Sequence, residues 1–363
     1  MGAVIAHSHR ICSISPQMPV NFLQNEDEQL NGESLSLERN EDQMKRVRDS
    51  MLDMLIERTY DVNSYTRAQV LKSWTTLAEE GALPVVRVDA VAEVALDRLQ
   101  DRIASVRKNA MSLLIALIDN NPFAQTLDGE QFRNQKKTLE ASLAARKTEL
   151  EKNFKQQMAE SGLIIKSEDN DEVPNDELDG GTIDEDAPEQ LEITEDNDII
   201  AYRAGIKFCS AALRFISVVE LALPKVDRLK SSKTVSDVIE ALRLFSRASK
   251  FNVDKASDYL QKSFSLAWHQ DESVKIECRL AFVNVYLSDG AVGSKPEPLV
   301  PTQIAHNIVT VCLACNTAEL TSVEKIIGEL FADENILSSS VINSLWQGVQ
   351  QRFLLIIFCY LIH

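Results

Sequence analysis

Two stretches, Asp61-Val62-Asn63-Ser64-Tyr65-Thr66-Arg67 and Asp101-Arg102-Ile103-Ala104-Ser105-Val106-Arg107, decide the fold. In each, an Asp precedes an Arg by six residues, and the two arginines lie 40 residues apart. A third copy, Ser273-Val274-Lys275, keeps the basic step but has His269 in the place of the Asp. Three residues past the basic step stand Val70, Ala110 and Cys278; seven past stand Trp74, Leu114 and Phe282; ten past stand Leu77, Leu117 and Val285. Residues at these spacings share one face of a helix, so the basic step opens an amphipathic helix in each copy.

Other stripes precede and follow these helices. Val47, Met51, Met54 and Leu55 form one before the first copy, and Val88, Val91, Ala92, Ala95 and Leu99 form one before the second. Cys209, Ala212, Leu213 and Ile216 form a later stripe that ends at Pro224, and Val235, Val238, Ile239, Leu242 and Phe245 form the next. No segment alternates with period two, and 12 Gly and 10 Pro in 363 residues supply little material for tight turns. A period near 40 with two helices per unit predicts an all-α fold, a HEAT/armadillo-type helical-repeat solenoid. A helical hairpin buries only one face of each helix, so such units hold together by stacking on their neighbours.

The hinge residues have chemistry suited to this stacking. Asp61 and Asp101 are placed to accept free N–H groups where the second helix begins. Arg67 and Arg107 are placed to reach the Asp of the adjacent repeat, with Lys275 at the same position in the third copy. As exposed pairs, each such contact would contribute only about 0–1 kcal/mol.

Around the repeats the composition changes sharply. Residues 1–42 are polar and aperiodic and read as disordered. Repeats are expected over 43–123, a charged helix over 124–166 and HEAT-like helices over 199–347. Between them, 167–198 contains 15 Asp and Glu and no Lys or Arg. This acidic insert reads as a disordered linker, which as a flexible coil would span roughly 30 Å. It carries most of the net charge of −17, leaving the remaining chain at −2. The repeats therefore lack an overall basic footprint for nucleic acid. The closing run Phe353–Ile362, within the tail 348–363, is about half a membrane span. It reads as an odd, non-native continuation of a helical repeat. Six cysteines and no secretory signal read as reduced intracellular thiols.

No catalytic, cofactor-binding or metal-binding residue is expected. Cys312 and Cys315 form the sole CxxC and fall on the stripe of Ile304, Ile308 and Val311, so core packing explains them better than zinc, which needs four ligands. Trp74, Trp268 and Trp346 read as core or repeat-interface aromatics. The sequence has no Gly-rich phosphate loop and no recognisable nucleophile context. Two basic clusters are candidates for DNA phosphate or an acidic partner: Lys225, Arg228, Lys230 and Lys233 in a linker between helices, and Arg243, Arg247, Lys250 and Lys255.

The runs Tyr60–Leu71 and Lys108–Leu114, then Asn120-Asn121-Pro122-Phe123, a charged helix and an acidic insert, resemble the condensin subunit 1 family. The stretch Thr234–Glu240 and the repeat from Trp268 to Lys275 resemble it too. The likeness covers about residues 45–347. It implies a non-enzymatic HEAT-repeat subunit that binds the kleisin and the coiled-coil ATPase subunits and assists DNA during mitotic chromosome condensation. It also implies residence in the nucleus and on chromosomes, with the cytoplasm a further site outside mitosis, and neither a cofactor, a membrane nor a small-molecule substrate. A second reading is a HEAT/armadillo adaptor of another pathway, such as nuclear transport or a phosphatase scaffold. A third is an enzyme on a helical bundle, which would show a pocket of converging polar groups.

Overall fold

The computed structural model describes residues 34–160, 196–289, 297–332 and 339–347. Their helices are α1 (Ser34–Arg58), α2 (Ser64–Glu79), α3 (Val88–Arg98), α4 (Ala104–Asp119), α5 (Gly129–Glu160), α6 (Asn197–Leu229) and α7 (Val235–Lys250). The remainder are α8 (Ala256–Ser263), α9 (Glu272–Phe282), α10 (Pro301–Ala314), α11 (Thr317–Ala332) and α12 over 339–347. One antiparallel pair of two-residue strands, Ser288–Asp289 with Glu297–Pro298, is the extended structure among the described residues. The fold is all-α and built of helical repeats.

The chain divides into two compact units, residues 1–132 with 211–363, and residues 133–210. In the first unit α2, α4, α7 and α9 form a row in which each packs on the next. The preceding helix of each hairpin lies alongside: α1 with α2, α3 with α4, and α8 with its 3-10 extension Phe264–Trp268 beside α7 and α9. The second half of α6 lies on α3, where Arg214 meets Asp89 at 3.1 Å and Lys225 donates to the Leu96 carbonyl at 3.5 Å. The row is continuous although α4 and α7 are separated in sequence by α5, the acidic insert and α6.

Counting from the hinge explains the row. The third and seventh positions are buried in every copy: Val70 and Trp74, Ala110 and Leu114, Cys278 and Phe282. At the tenth, Leu117 is buried while Leu77 and Val285 are half-buried. The same register fits α7 when counted from Val238, giving Ala241, Phe245 and Ala248, all fully buried. Helix α7 is thus the third repeat's second helix, and the copy at Lys275 belongs to the fourth. The arginine position of the third repeat holds a buried Val, so the motif does not announce this repeat.

The second unit contains α5 from Arg133 and the start of α6. Arg146 draws them together by donating to Asp196 at 2.7 Å, while its bond to Glu149 at 3.0 Å stays within α5. Asp196 also accepts the Asp198 N–H at 3.1 Å, which caps α6, and that bond is the first cause holding its carboxyl below the usual range.

Several expectations change. Helix α1 already begins at Ser34, inside the stretch read as aperiodic. Its predicted stripe is poorly covered: Leu55 is half-buried and Val47, Met51 and Met54 are exposed, while the buried residue is Leu52, outside that stripe, because α2 covers one side of the helix alone. Helix α6 runs through Pro224 to Leu229 instead of ending there. Interior proline costs about 3 kcal/mol. Val218, Val219, Ala222, Leu223 and Val226 are buried around it, and each such side chain returns on the order of 1–3 kcal/mol. The insert ends by Asp196, since α6 starts at Asn197. Residues 1–33, most of the acidic insert and the tail 348–363 lie outside the described residues.

Candidate functional site

The hinges between paired helices carry the strongest recurring chemistry. At the first, Asp61 Oδ1 accepts the Asn63 N–H at 2.8 Å; at the second, Asp101 Oδ1 accepts the Ile103 N–H at 3.0 Å. Ser232 Oγ accepts the Thr234 N–H at 3.1 Å in the third hinge, and His269 Nδ1 accepts the Asp271 N–H at 3.0 Å in the fourth. Four different pairs of residues thus close one turn in the same way: a side-chain acceptor takes the N–H two residues on. The constant is an acceptor at that position, not an Asp.

At the first two hinges an arginine ties the turn to the next repeat. Arg67 Nη1 donates to the carbonyls of Asp61 and Val62 at 2.8 and 2.9 Å, while its Nε and Nη2 make a bidentate pair with Asp101 at 2.8 and 2.9 Å. Arg107 repeats the pattern, with Nη1 on the carbonyls of Asp101 and Arg102 and Nη2 on Asp237 at 2.6 Å. The pairs are not exposed: side chains of Arg67 and Asp101 keep 13% and 4% of their accessibility, those of Arg107 and Asp237 15% and 0%. The estimate of 0–1 kcal/mol therefore does not apply. Removing one partner of a buried pair leaves the other charge uncompensated and costs about 3–5 kcal/mol.

Burial pushes the Asp101 carboxyl up, but hydrogen bonds from Arg67 and from the Ile103 N–H, with the charges of Arg67 and Arg98, outweigh it and hold the group below the usual carboxylate range. Asp61 is lowered chiefly by the Asn63 N–H. Asp237, from α7 itself, is the acid that meets Arg107, and it also accepts from Ser232 Oγ at 2.9 Å. Sequence reasoning missed it because it precedes the helix register position by one instead of six. Lys275 does not extend the ladder: its Nζ turns to Glu272 on the same helix at 2.8 Å.

The two basic clusters separate. Lys225 and Arg228 lie on α6, not in a linker; Lys230 and Lys233 follow it. Lys230 pairs with Asp227 at 2.6 Å, whereas Arg228 and Lys233 are exposed. In the second cluster Arg243 donates to Glu240 at 3.1 Å and Glu277 at 2.9 Å, and Arg247 lies 3.5 Å from Asp119. These arginines sew α7 to α9 and to α4. Lys250 adds its charge to Arg247 near Asp119, whose carboxyl burial pushes up. Lys255 sits before α8 with φ of 60°, at the opposite end of α7 from Lys233.

Other candidates also move. Trp74 is buried, but Trp268 is 61% exposed with Lys325 Nζ 3.9 Å from its ring centroid, and Trp346 is exposed as well. Cys312 and Cys315 are half-buried free thiols at the end of α10, at the rim of the core instead of within it. Among the described residues no cluster of three or more His, Cys, Asp or Glu is suited to a metal. A groove of about 740 Å³ between α1 and α2 is lined by Met44, Val47, Met51, Leu52, Leu55 and Leu77, with Arg48 as its only charged residue. It offers nothing for acid–base or nucleophilic chemistry. No helix among the described residues is long and apolar enough to cross a membrane.

No protein-family model matches the chain. Among curated proteins it is 27% identical over 312 residues to condensin-1 complex subunit CAP-D2 of Arabidopsis thaliana, covering 83% of this chain and 21% of that protein. It is 25% identical over 309 residues to condensin complex subunit 1 of Schizosaccharomyces pombe, covering 82% and 26%. Over 95 residues, 26% of this chain, it is 39% identical to condensin complex subunit 1 of Mus musculus. The chain spans about a fifth to a quarter of the length of the first two of these relatives.

Proposed function

We infer that this chain, a relative of condensin complex subunit 1, works as a non-catalytic scaffold segment of a condensin regulatory subunit. The observation that carries the reading is the hinge ladder: buried Arg–Asp pairs fix α2 to α4 and α4 to α7, so the repeats present surfaces at set spacing. Chemistry would belong to partners, and this segment would bind and orient them. The expected partners are the kleisin subunit and the coiled-coil ATPase pair, with DNA a weak, sequence-independent contact on chromosomes.

The basic residues qualify the DNA contact. Arg243 and Arg247 are engaged with Glu240, Glu277 and Asp119, which leaves the exposed Arg228, Lys233 and Lys255 as the better phosphate ligands of the two clusters. Three phosphate contacts correspond to a salt slope near about −2.7, a weak association. Affinity purification from mitotic cells tests the assignment. The kleisin and both coiled-coil ATPases are expected in the purified set; absence of all three would overturn it.

A further inference from the structure

We propose that the edge formed by the first three hinges docks an acidic, leucine-bearing segment of a partner protein, an inference that rests on the scaffold reading and specifies a surface for it. The three hinges form one edge because Arg67 ties the first to the second and Arg107 ties the second to α7 just past the third. This edge displays apolar side chains that the fold does not use. Val62 is 99% exposed and Tyr65 75%, and Tyr60 and Ile103 are exposed beside them. The turn needs neither Val62 nor Tyr65, since it is closed by Asp61 and capped by Asn63, which accepts the Tyr65 N–H. Solvated loops are normally polar, so two large apolar groups at one hinge apex need a reason beyond the turn.

Tyr60 is also held in place. Its hydroxyl donates to Asp97 at 3.0 Å, and the Arg98 guanidinium lies 4.8 Å from its ring centroid. A ring fixed before binding loses little entropy on contact, and Tyr and Arg together are the residues enriched at the centres of protein interfaces.

The charge of the edge selects the partner. Residues 58–67, 97–108 and 225–237 carry ten Lys and Arg against five Asp, a local +5 in a chain of −17. Two of the five acids, Asp101 and Asp237, are buried together with two of the ten cations, Arg67 and Arg107, so the excess of +5 resides in the remaining residues of the edge. Arg102, Arg228 and Lys233 are exposed. Carboxylates of an extended acidic segment suit cations spaced along an edge, with leucines on Val62, Ile103 and the tyrosines. A protein segment fits better than a nucleic acid: aliphatic anchors stand between the cations, and Asp61 and Asp97 would repel an unbroken phosphate backbone.

Fluorescence anisotropy on the full chain tests this, with a labelled peptide of Asp and Glu bearing leucine at every fourth position, and mixed-sequence duplex DNA as competitor. Saturable peptide binding is expected, weakened about fivefold or more by V62S with Y65S and about tenfold by R102E with R228E. Thermal midpoints should be unchanged, since these side chains are exposed. No saturable binding, binding indifferent to V62S with Y65S, or displacement of peptide by DNA at lower concentration than by unlabelled peptide would overturn the proposal. Condensin subunits co-purifying with the V62S/Y65S chain as with the unaltered one, alongside failed peptide binding, would sink this surface and leave the scaffold reading standing. Loss of co-purification from the unaltered chain would sink the scaffold reading itself.

Discussion

Replacing Arg67 with Ala removes four hydrogen bonds at once: two to the Asp101 carboxylate and two to the carbonyls of Asp61 and Val62. Asp101 keeps only 4% of its side-chain accessibility, so water cannot replace what is lost. It retains the Ile103 N–H and Arg98 at 3.6 Å, which places the loss toward the lower end of the range for a broken buried pair, about 3 kcal/mol. Asp101→Ala should cost a similar amount, because it leaves the guanidinium unpaired. The double variant should recover part of the loss, with a coupling of about 1–3 kcal/mol. Urea unfolding followed by tryptophan fluorescence suits the test. Trp74 is fully buried two turns after Arg67, whereas Trp268 and Trp346 are already exposed and should change little. Single-variant losses below about 1 kcal/mol, or additive effects in the double variant, would refute the claim that this pair fixes α2 to α4.

Further consequences can be measured separately. Asp101 has a lowered pKa in the folded chain, so protons favour the unfolded state; stability from this group is present above the usual carboxylate pKa of about 4 and should fall as the pH drops below it. Asp101→Asn should flatten that part of the acid-unfolding curve. Asp119 has the opposite shift, raised by burial, so its contribution is full at acid pH and declines as the pH rises; Asp119→Asn should cost less than Asp101→Asn at neutral pH by urea titration. Burial pushes the Cys278 thiol up to about 12, and maleimide labelling read by mass spectrometry should reach half-buried Cys312 and Cys315 well before it. Gly81 ends α2 with φ of +64°, and although a Cβ there would meet nothing within 4 Å, Gly81→Ala should cost about 1 kcal/mol from backbone strain alone.

Much of the fold is readable from the hinge and its register, because burial at the third and seventh positions demands apolar residues whatever the hinge contains. The third repeat shows where the motif fails. With Val238 in place of arginine and Ser232 in place of Asp, nothing in the hinge text marks it, yet Ser232 closes its turn just as Asp61 does. A hydroxyl, an imidazole and a carboxylate all accept an N–H, so function at that position outlasts residue identity. Asp237 was invisible for a different reason: its importance comes from Arg107, 130 residues earlier, and periodicity is blind to such pairs. Trp268 illustrates the same limit from the other side. The sequence predicts a core or repeat-interface aromatic there; the ring is 61% exposed, and Lys325 of α11 caps its face. Periodicity identifies the apolar face of a helix without identifying the neighbour that covers it.

Helix α4 lies directly on α7, which makes the row of second helices unbroken across the insert. Ser112 Oγ and Glu240 Oε2 stand 3.4 Å apart in that contact. In a chain otherwise lacking reactive cysteines, S112C with E240C should be joined by a short bismaleimide, as A68C with N109C should be across α2 and α4, where Asn109 donates to the Ala68 carbonyl at 2.8 Å. Linkage of both pairs is the predicted result. Linkage of 68 to 109 with none between 112 and 240 would contradict the continuous stack.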